Sequence, residues 1–212
     1  QLLSLPGEGY CAAASIMGVE SSWLHWLDSD WYTHNFKPLL ESNSSIREAL
    51  INGLIHSRYI PCKELMSLYH PYIIKFIKDK KVSTWDDNEL DSLITKITCS
   101  AINPQAGSGV FSFSEVRSFL RQLGKEYASK AIYALRQILK REGVKWSQCG
   151  VPFFKSIWPK ESSFQTEDSS RQIFYLLSKS EDFPARVHDL IELLRPIEHS
   201  DVLICDLNED NS

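Results

Sequence analysis

Apolar residues in this chain recur at intervals of three and four positions, which is the spacing of one face of an α-helix. The clearest stripe consists of Leu90, Leu93, Ile94, Ile97 and Ala101. Alternation of apolar and polar residues, which a half-buried strand requires, occurs only over residues 110–113. Because that stretch is too short to rank as a strand, the periodicity predicts an all-α fold.

Helical segments of about 10 to 17 residues alternate with short polar links, a layout typical of antiparallel helix pairs. Such a pair recurs loosely, every ~35 to 50 residues, within the range of irregular two-helix repeats. We therefore expect the pairs to stack as an α-solenoid-like array of the HEAT type. Residues 1–204 are predicted to form this single repeat-like domain, and residues 205–212 a polar, acidic C-terminal tail.

Glycine and aspartate residues predict where several helices begin and end. Gly18, Gly124 and Gly143 each follow a segment of helical periodicity, the position at which glycine commonly stops a helix. Asp30 is a candidate N-cap for the helix that follows the first tryptophans.

Pro71 lies within the apolar face of residues 65–77. Proline has no amide hydrogen and crowds the preceding turn of a helix. We therefore expect this helix to kink or split near Tyr69 and His70.

Composition narrows the class of protein. Apolar residues make up 43% and charged residues 24% of the chain, which are ordinary values for a globular domain. The net charge of -4 provides no basic excess for nucleic acid. No apolar stretch approaches the roughly 20 residues of a membrane span, and no signal-peptide pattern is seen. We therefore expect a cytoplasmic protein with neither a nucleic-acid nor a membrane partner.

Cysteine usage argues against a metal centre. The cysteines are Cys11, Cys62, Cys99, Cys149 and Cys205. No pair of them, and no Cys/His pair, has the spacing of a zinc site, so free thiols in a reducing compartment are expected. Residues 107–109 form too short a glycine stretch for a phosphate loop, and no Walker or Rossmann motif occurs. We therefore expect neither a metal nor a cofactor.

Cys11 is the sharpest catalytic candidate. It follows a Gly-Glu-Gly-Tyr segment and opens a predicted helix, whose dipole stabilises a thiolate. A cysteine hydrolase also needs a base, and none of the histidines lies in the alternating strand that usually presents one. A small packing residue is therefore the preferred interpretation, with a hydrolase that uses Cys11 as the alternative.

The aromatic residues predict packing rather than a ligand site. Tryptophan in a helical protein usually packs between helices with its ring N–H bonded to a carbonyl, although it also stacks on bases and sugars. The densest set lies between Trp146 and Pro196, where prolines separate the helices. We interpret this set as wedges that determine the angles between successive helices. The set consists of aromatic residues and of the prolines beside them: Trp146, Pro152, Phe153, Phe154, Trp158, Pro159, Phe183 and Pro184.

Four groups of segments, in this order, carry a resemblance to a known family. They are Asp30-Trp31 with Phe36-Lys37-Pro38-Leu39-Leu40; Ala49 to Leu54 with Pro61, Glu64-Leu65 and His70-Pro71-Tyr72; Val151-Pro152-Phe153-Phe154 with Ile157-Trp158-Pro159-Lys160-Glu161; and Asp182-Phe183-Pro184 before Leu193-Leu194-Arg195-Pro196. From Pro6 to Ile204 the chain resembles the C-terminal helical region of large bacterial antiphage defence proteins. Those proteins carry a sirtuin-like or other effector domain, often with a nucleotide-binding oligomerisation domain, before their helical repeats.

The resemblance implies a region that senses a phage component and relays its presence to an effector. Because the sequence has no effector active site, any NAD-hydrolysing or nuclease activity would lie outside these residues. The leading hypothesis is therefore a non-enzymatic module that binds a protein, either a phage protein or the effector domain of its own chain. The alternatives are the Cys11 hydrolase and an oligomerisation scaffold.

Overall fold

The computed structural model describes residues 8–79, 86–102, 109–141, 144–178 and 183–195. Throughout these residues the regular structure is helical, without a strand, which confirms the predicted all-α fold. The HEAT-type solenoid stays a prediction. The α-helices of this described part are α1 (Glu8–Val19), α2 (Ser21–Leu27), α3 (Ser29–Glu41), α4 (Ser44–His56), α5 (Lys63–Asp79), α6 (Asp87–Ile102), α7 (Phe113–Leu123), α8 (Lys125–Leu139), α9 (Trp146–Pro152), α10 (Glu167–Ser178) and α11 (Phe183–Leu190).

The chain divides into two compact units, Gln1–Ser112 and Phe113–Ser212. The first unit holds α1 to α6 and the second holds α7 to α11. The single domain over residues 1–204 stays a prediction. The predicted tail, residues 205–212, lies outside the described residues.

In the first unit, α1 and α4 pack backbone against backbone. A Cβ atom on Gly18 would lie 2.9 Å from the Cα of Gly53, and one on Gly53 would lie 2.8 Å from the Cα of Gly18. Ala13 and Ala14 of α1 are buried beside them in sequence. Small residues thus allow these two helices to approach more closely than larger side chains permit.

Two of the glycine predictions can be compared with the structure. Gly124 has a φ of 90° and follows the last residue of α7, so the predicted stop is confirmed. Gly18 instead lies inside α1 and lacks the positive φ of a glycine cap. The prediction that Gly18 ends its helix is wrong. Its missing side chain instead makes room for α4. Gly143 lies outside the described residues.

Helix α5 runs without a break from Lys63 to Asp79 and contains Pro71. The predicted split near Tyr69 and His70 is therefore wrong. In a regular helix the amide of residue 71 would donate to the carbonyl of Ser67. Both Pro71 and Ser67 are exposed. Since water reaches that face of the helix, the lost backbone hydrogen bond costs less there than in a buried turn.

A buried lysine joins α6 to the end of α4. The Lys96 ammonium donates to the carbonyls of Ile55 at 3.0 Å and Ser57 at 2.7 Å, and to the hydroxyl of Ser92 at 2.9 Å. Carbonyls at a helix C-terminus carry partial negative charge, which a cation complements. Burial nevertheless lowers the pKa of Lys96 to about 8.

In the second unit, α8 packs against α7, α9 and α10. The guanidinium of Arg136 on α8 lies 4.8 Å from the ring centre of Tyr133 and 4.7 Å from that of Tyr175 on α10. These cation–π contacts add to the apolar packing of α8 against α10. The contact explains why a charged residue is tolerated on the inner side of α8.

Candidate functional site

Helix α2 presents its apolar side chains to solvent. Trp23 is 51% exposed, Trp26 78% and Leu27 54%, and their spacing places them on one side of the helix. The expectation that tryptophans pack between helices is wrong for these residues. A large exposed apolar area is informative because the surface of a monomeric protein rarely carries one without a function.

The opposite side of α2 is held by a buried cluster of hydroxyl groups. Tyr32 of α3 donates a hydrogen bond of 2.7 Å to the hydroxyl of Ser21, which in turn donates to the carbonyl of Met17 at 3.0 Å. The hydroxyl of Tyr69 on α5 lies 2.9 Å from that of Tyr32 and 3.1 Å from that of Ser21. This network determines which side of α2 faces inward, and the tryptophans consequently face outward.

Both tyrosines of this cluster remain protonated over a wide pH range. Burial raises the pKa of Tyr32 and of Tyr69 above the ordinary value of a phenol. Each phenol therefore keeps the hydrogen atom that it donates within the cluster. A buried hydroxyl with a partner stabilises the fold, whereas one without a partner is costly.

The next helix carries a further exposed tryptophan. Trp31 of α3 is 48% exposed, and its ring makes an edge contact with Phe36 at 6.2 Å between ring centres. The side chain of Asp28 accepts the backbone N–H of Trp31 at 2.8 Å and so caps α3. The predicted cap, Asp30, is wrong by two residues and lies in the first turn instead. We call Trp23, Trp26, Leu27 and Trp31 the aromatic face.

Acidic residues neighbour the aromatic face in sequence. Residues 16–34 contain the carboxylates of Glu20, Asp28 and Asp30 and no lysine or arginine. All three carboxylates belong to exposed residues. Exposed carboxylates close to an apolar anchor favour a positively charged partner.

A cysteine–histidine pair lies on the other flank of α2. The Sγ atom of Cys62 is 3.6 Å from Nδ1 of His25. Cys62 is exposed and immediately precedes α5, where its carbonyl accepts the amide of Met66 at 2.9 Å. The His25 ring also makes an edge contact with the Tyr32 ring, with 5.7 Å between their centres.

Glu64 competes for the proton of this thiol. Burial raises the pKa of Cys62, and the neighbouring Glu64 carboxylate raises it further, although the backbone N–H of Leu65 acts in the opposite direction. The pKa of Glu64 is lowered by a hydrogen bond from its own backbone and by the Cys62 thiol. At neutral pH the thiol is therefore protonated and has two acceptors beside it.

The structure places Cys11 apart from any such pair. It is half-buried in α1, three residues after the first residue of that helix. Among the described residues, no hydrogen bond joins the Cys11 thiol to a histidine. Cys62, which sequence reasoning did not select, does lie next to a histidine.

Four of the predicted wedge residues, all aromatic, form a cluster in the second unit. Trp158 is fully buried, and its ring centre lies 6.1 Å from that of Phe153 and 6.4 Å from that of Phe154. The Trp146 ring stacks on Phe154 at 5.9 Å. The Trp146 ring also contacts the guanidinium of Arg186 on α11, which lies 5.0 Å from the ring centre.

A turn of π-helix, Phe153–Ile157, positions the buried tryptophan. The backbone N–H of Trp158 donates to the carbonyl of Phe153 at 2.8 Å. Pro152 immediately precedes the π turn and Pro159 follows Trp158. The extended conformation of Trp158, with φ -59° and ψ 130°, is the one that a residue before proline prefers.

Phe183 and Pro184 begin α11, but their side chains lie outside what the structure describes. The wedge function of the whole set stays a prediction.

Within the described residues, no group of three or more His, Cys, Asp or Glu side chains has an arrangement that holds a metal ion. In the same part of the chain, no helix combines the length and apolar character of a membrane span.

No protein-family model, no curated protein and no solved structure matches this chain.

Proposed function

We propose that this chain is a non-enzymatic helical module that binds another protein through the aromatic face. The observation that carries the proposal is the outward position of Trp23, Trp26 and Leu27, which are each more than half exposed. Tryptophan is the residue most enriched among those that dominate binding energy at protein interfaces. Burial of one such side chain contributes about 1.5 to 3 kcal/mol.

The preorganisation of α2 supports the same function. The hydroxyl groups of Ser21, Tyr32 and Tyr69 hold the inner side of this helix within a buried network. The tryptophans are thus presented on a fixed helix, and less conformational freedom is lost when a partner binds.

The charges around the aromatic face define the partner. Glu20, Asp28 and Asp30 favour a protein segment that has an apolar anchor flanked by lysine or arginine. The same carboxylates repel nucleic acid and an anionic lipid surface. The occupant is therefore a basic protein segment.

The resemblance to antiphage defence proteins extends the proposal to a biological setting. A phage protein made in the bacterial cytoplasm is then the partner, and an effector outside these residues responds to its binding. The competing occupants of the aromatic face are the effector domain of the same chain and a second copy of this chain.

A capture experiment with matched variants tests the proposal. The folded chain, immobilised, is exposed to lysates of phage-infected and uninfected bacteria, and retained proteins are identified by mass spectrometry. Trp26→Ala and Trp23→Ala are compared with Tyr133→Ala, which removes a 46% exposed aromatic residue from the second unit. We expect a protein from infected cells that both tryptophan variants lose and Tyr133→Ala retains.

Three outcomes contradict this assignment. Equal retention by all variants would place the binding site elsewhere. Retention of nothing by the folded wild-type chain would contradict binding to a phage protein. A discrete oligomer in solution that Trp26→Ala converts to monomer would identify a second copy as the occupant.

A further inference from the structure

Cys62 and His25 meet although they are 37 residues apart. Cys62 is supplied by the residue before α5 and His25 by the last turn of α2. The sulfur is solvent-accessible, since Cys62 is exposed. A small molecule can therefore reach the sulfur without passing through the core of the first unit.

The imidazole is oriented for acid–base chemistry. Its Nδ1 atom faces the sulfur at 3.6 Å, and the edge contact with Tyr32, at an interplanar angle of 75°, supports the ring from another side. In the neutral tautomer with hydrogen on Nε2, the Nδ1 lone pair accepts the thiol proton. A fixed base next to a thiol is the arrangement by which proteins activate a cysteine nucleophile.

Such a base is needed at this position. Partial burial of the thiol and the Glu64 carboxylate raise the pKa of Cys62, so that at neutral pH few molecules hold a free thiolate. Without assistance, Cys62 would react more slowly than an ordinary exposed cysteine, because the thiolate is the nucleophile. Any high reactivity at neutral pH must then come from His25.

We propose that Cys62 is a thiol–disulfide exchange site at which His25 acts as general base and small disulfides are the substrates. The Cys62 thiol transfers its proton to Nδ1 of His25 while Sγ attacks one sulfur of the disulfide. The disulfide bond breaks, Cys62 keeps one half as a mixed disulfide, and the other half leaves as a thiolate. The imidazolium returns the proton to that thiolate, so no further oxidant or reductant enters the step.

This inference does not depend on the aromatic face. The exchange needs only the sulfur, the imidazole and an incoming disulfide. Loss of partner binding in the tryptophan variants would therefore leave it unaffected, and a failed exchange reaction would leave the proposed binding function intact.

Site-resolved kinetics on the full chain provide the test. The protein is treated at pH 7 with either 4,4′-dithiodipyridine or hydroxyethyl disulfide, and modification of each cysteine is followed by peptide mass spectrometry. Cys11 is the internal control, because it is half-buried in α1 and hydrogen-bonds to no histidine among the described residues. We expect Cys62 to react about ten times faster than Cys11, a modest effect for a positioned base.

Substitution of His25 distinguishes a reaction assisted by this base from one that depends only on the solvent exposure of Cys62. His25→Phe keeps a ring against Tyr32 but removes Nδ1, and His25→Gln serves as a second variant if the first does not fold. Either change should slow Cys62 by about tenfold or more and leave Cys11 unchanged. The loss should be larger with hydroxyethyl disulfide, whose more basic leaving thiolate depends on the returned proton.

Two results would overturn the assignment. One is a Cys62 rate no higher than that of Cys11 in the wild-type chain. The other is an unchanged Cys62 rate in a folded His25 variant, which would show that accessibility alone accounts for the reaction.

Discussion

Gly18 of α1 and Gly53 of α4 face each other so closely that neither has room for a methyl group. A Cβ atom on Gly53 would overlap the carbonyl oxygen of Ser15 and would lie 2.9 Å from the backbone nitrogen of Val19. The obstructing atoms are backbone atoms, which cannot rotate away. The position of α1, and of the α2 helix that follows it after Glu20, therefore depends on this pair of glycines.

Gly53→Ala should destabilise the first unit strongly. The added methyl group has to push two helices apart, and overpacking of this kind costs about 1 to 3 kcal/mol or more. Chemical denaturation measures the loss in free energy of unfolding. A loss below about 0.5 kcal/mol would contradict the close contact of α1 and α4.

Tyr32→Phe should weaken the anchor of α2. The substitution removes the donor to Ser21 and a partner of Tyr69 while it preserves the ring stacked on Phe36 at 3.9 Å. Loss of a buried hydroxyl partner costs about 1 to 3 kcal/mol. The free energy of unfolding measures this cost, and a change below about 0.5 kcal/mol would mean that the hydroxyl cluster does not hold the helix.

The ammonium of Lys96 gives a pH dependence of defined sign. In the folded protein the pKa of Lys96 is lowered from 10.5 to about 8. Between pH 8 and pH 10.5 the unfolded chain therefore binds more protons than the folded one, so the free energy of unfolding rises with pH in this range. We expect the free energy of unfolding of the wild type, relative to Lys96→Met, to increase by up to about 3 kcal/mol from pH 8 to pH 10.5. Subtraction of the variant removes the opposite contribution of the buried tyrosines, and a difference that stays flat would show that Lys96 titrates normally.

Trp158→Ala should destabilise the second unit by about 3 to 5 kcal/mol, as deletion of a large buried side chain does. Trp26→Ala is the matched control, since that side chain is 78% exposed and its loss should change stability by less than about 0.5 kcal/mol. Among the described residues, the ring nitrogen of Trp158 has no hydrogen-bond partner. Trp158→Phe, which removes this nitrogen and keeps an aromatic ring, should therefore cost less than the alanine variant.

Local periodicity explains why the helical class is predictable from this sequence. The stripe from Leu90 to Ala101 lies within α6 and is buried, because intervals of three and four leave a helix only one way to cover its apolar side. Proline is a less reliable indicator of where a helix breaks, because the cost of its missing amide depends on which side of the helix faces water. Pro71 lies on an exposed turn of α5. The side that faces water is set by tertiary packing.

The two functional features are harder to predict from the sequence, because each depends on a contact between residues that are far apart in the chain. The outward position of Trp23 and Trp26 depends on the buried contact of Ser21 with Tyr69, which comes from a distant helix. The Cys62–His25 pair likewise joins α2 to the start of α5. The helix-start argument applied to Cys11 holds equally for Cys62, which immediately precedes α5, but only the fold shows that Cys62 has a histidine beside it.

The affinity of the captured partner for Trp26→Ala tests the central claim most directly. With the partner identified and purified, its dissociation constant is measured for the wild type, Trp26→Ala and Tyr133→Ala by titration calorimetry. We expect Trp26→Ala to bind at least about 30 times more weakly, corresponding to the 2 kcal/mol or more of a residue that dominates an interface, and Tyr133→Ala to bind as the wild type does. Equal dissociation constants for all three proteins would contradict the aromatic face as the binding surface.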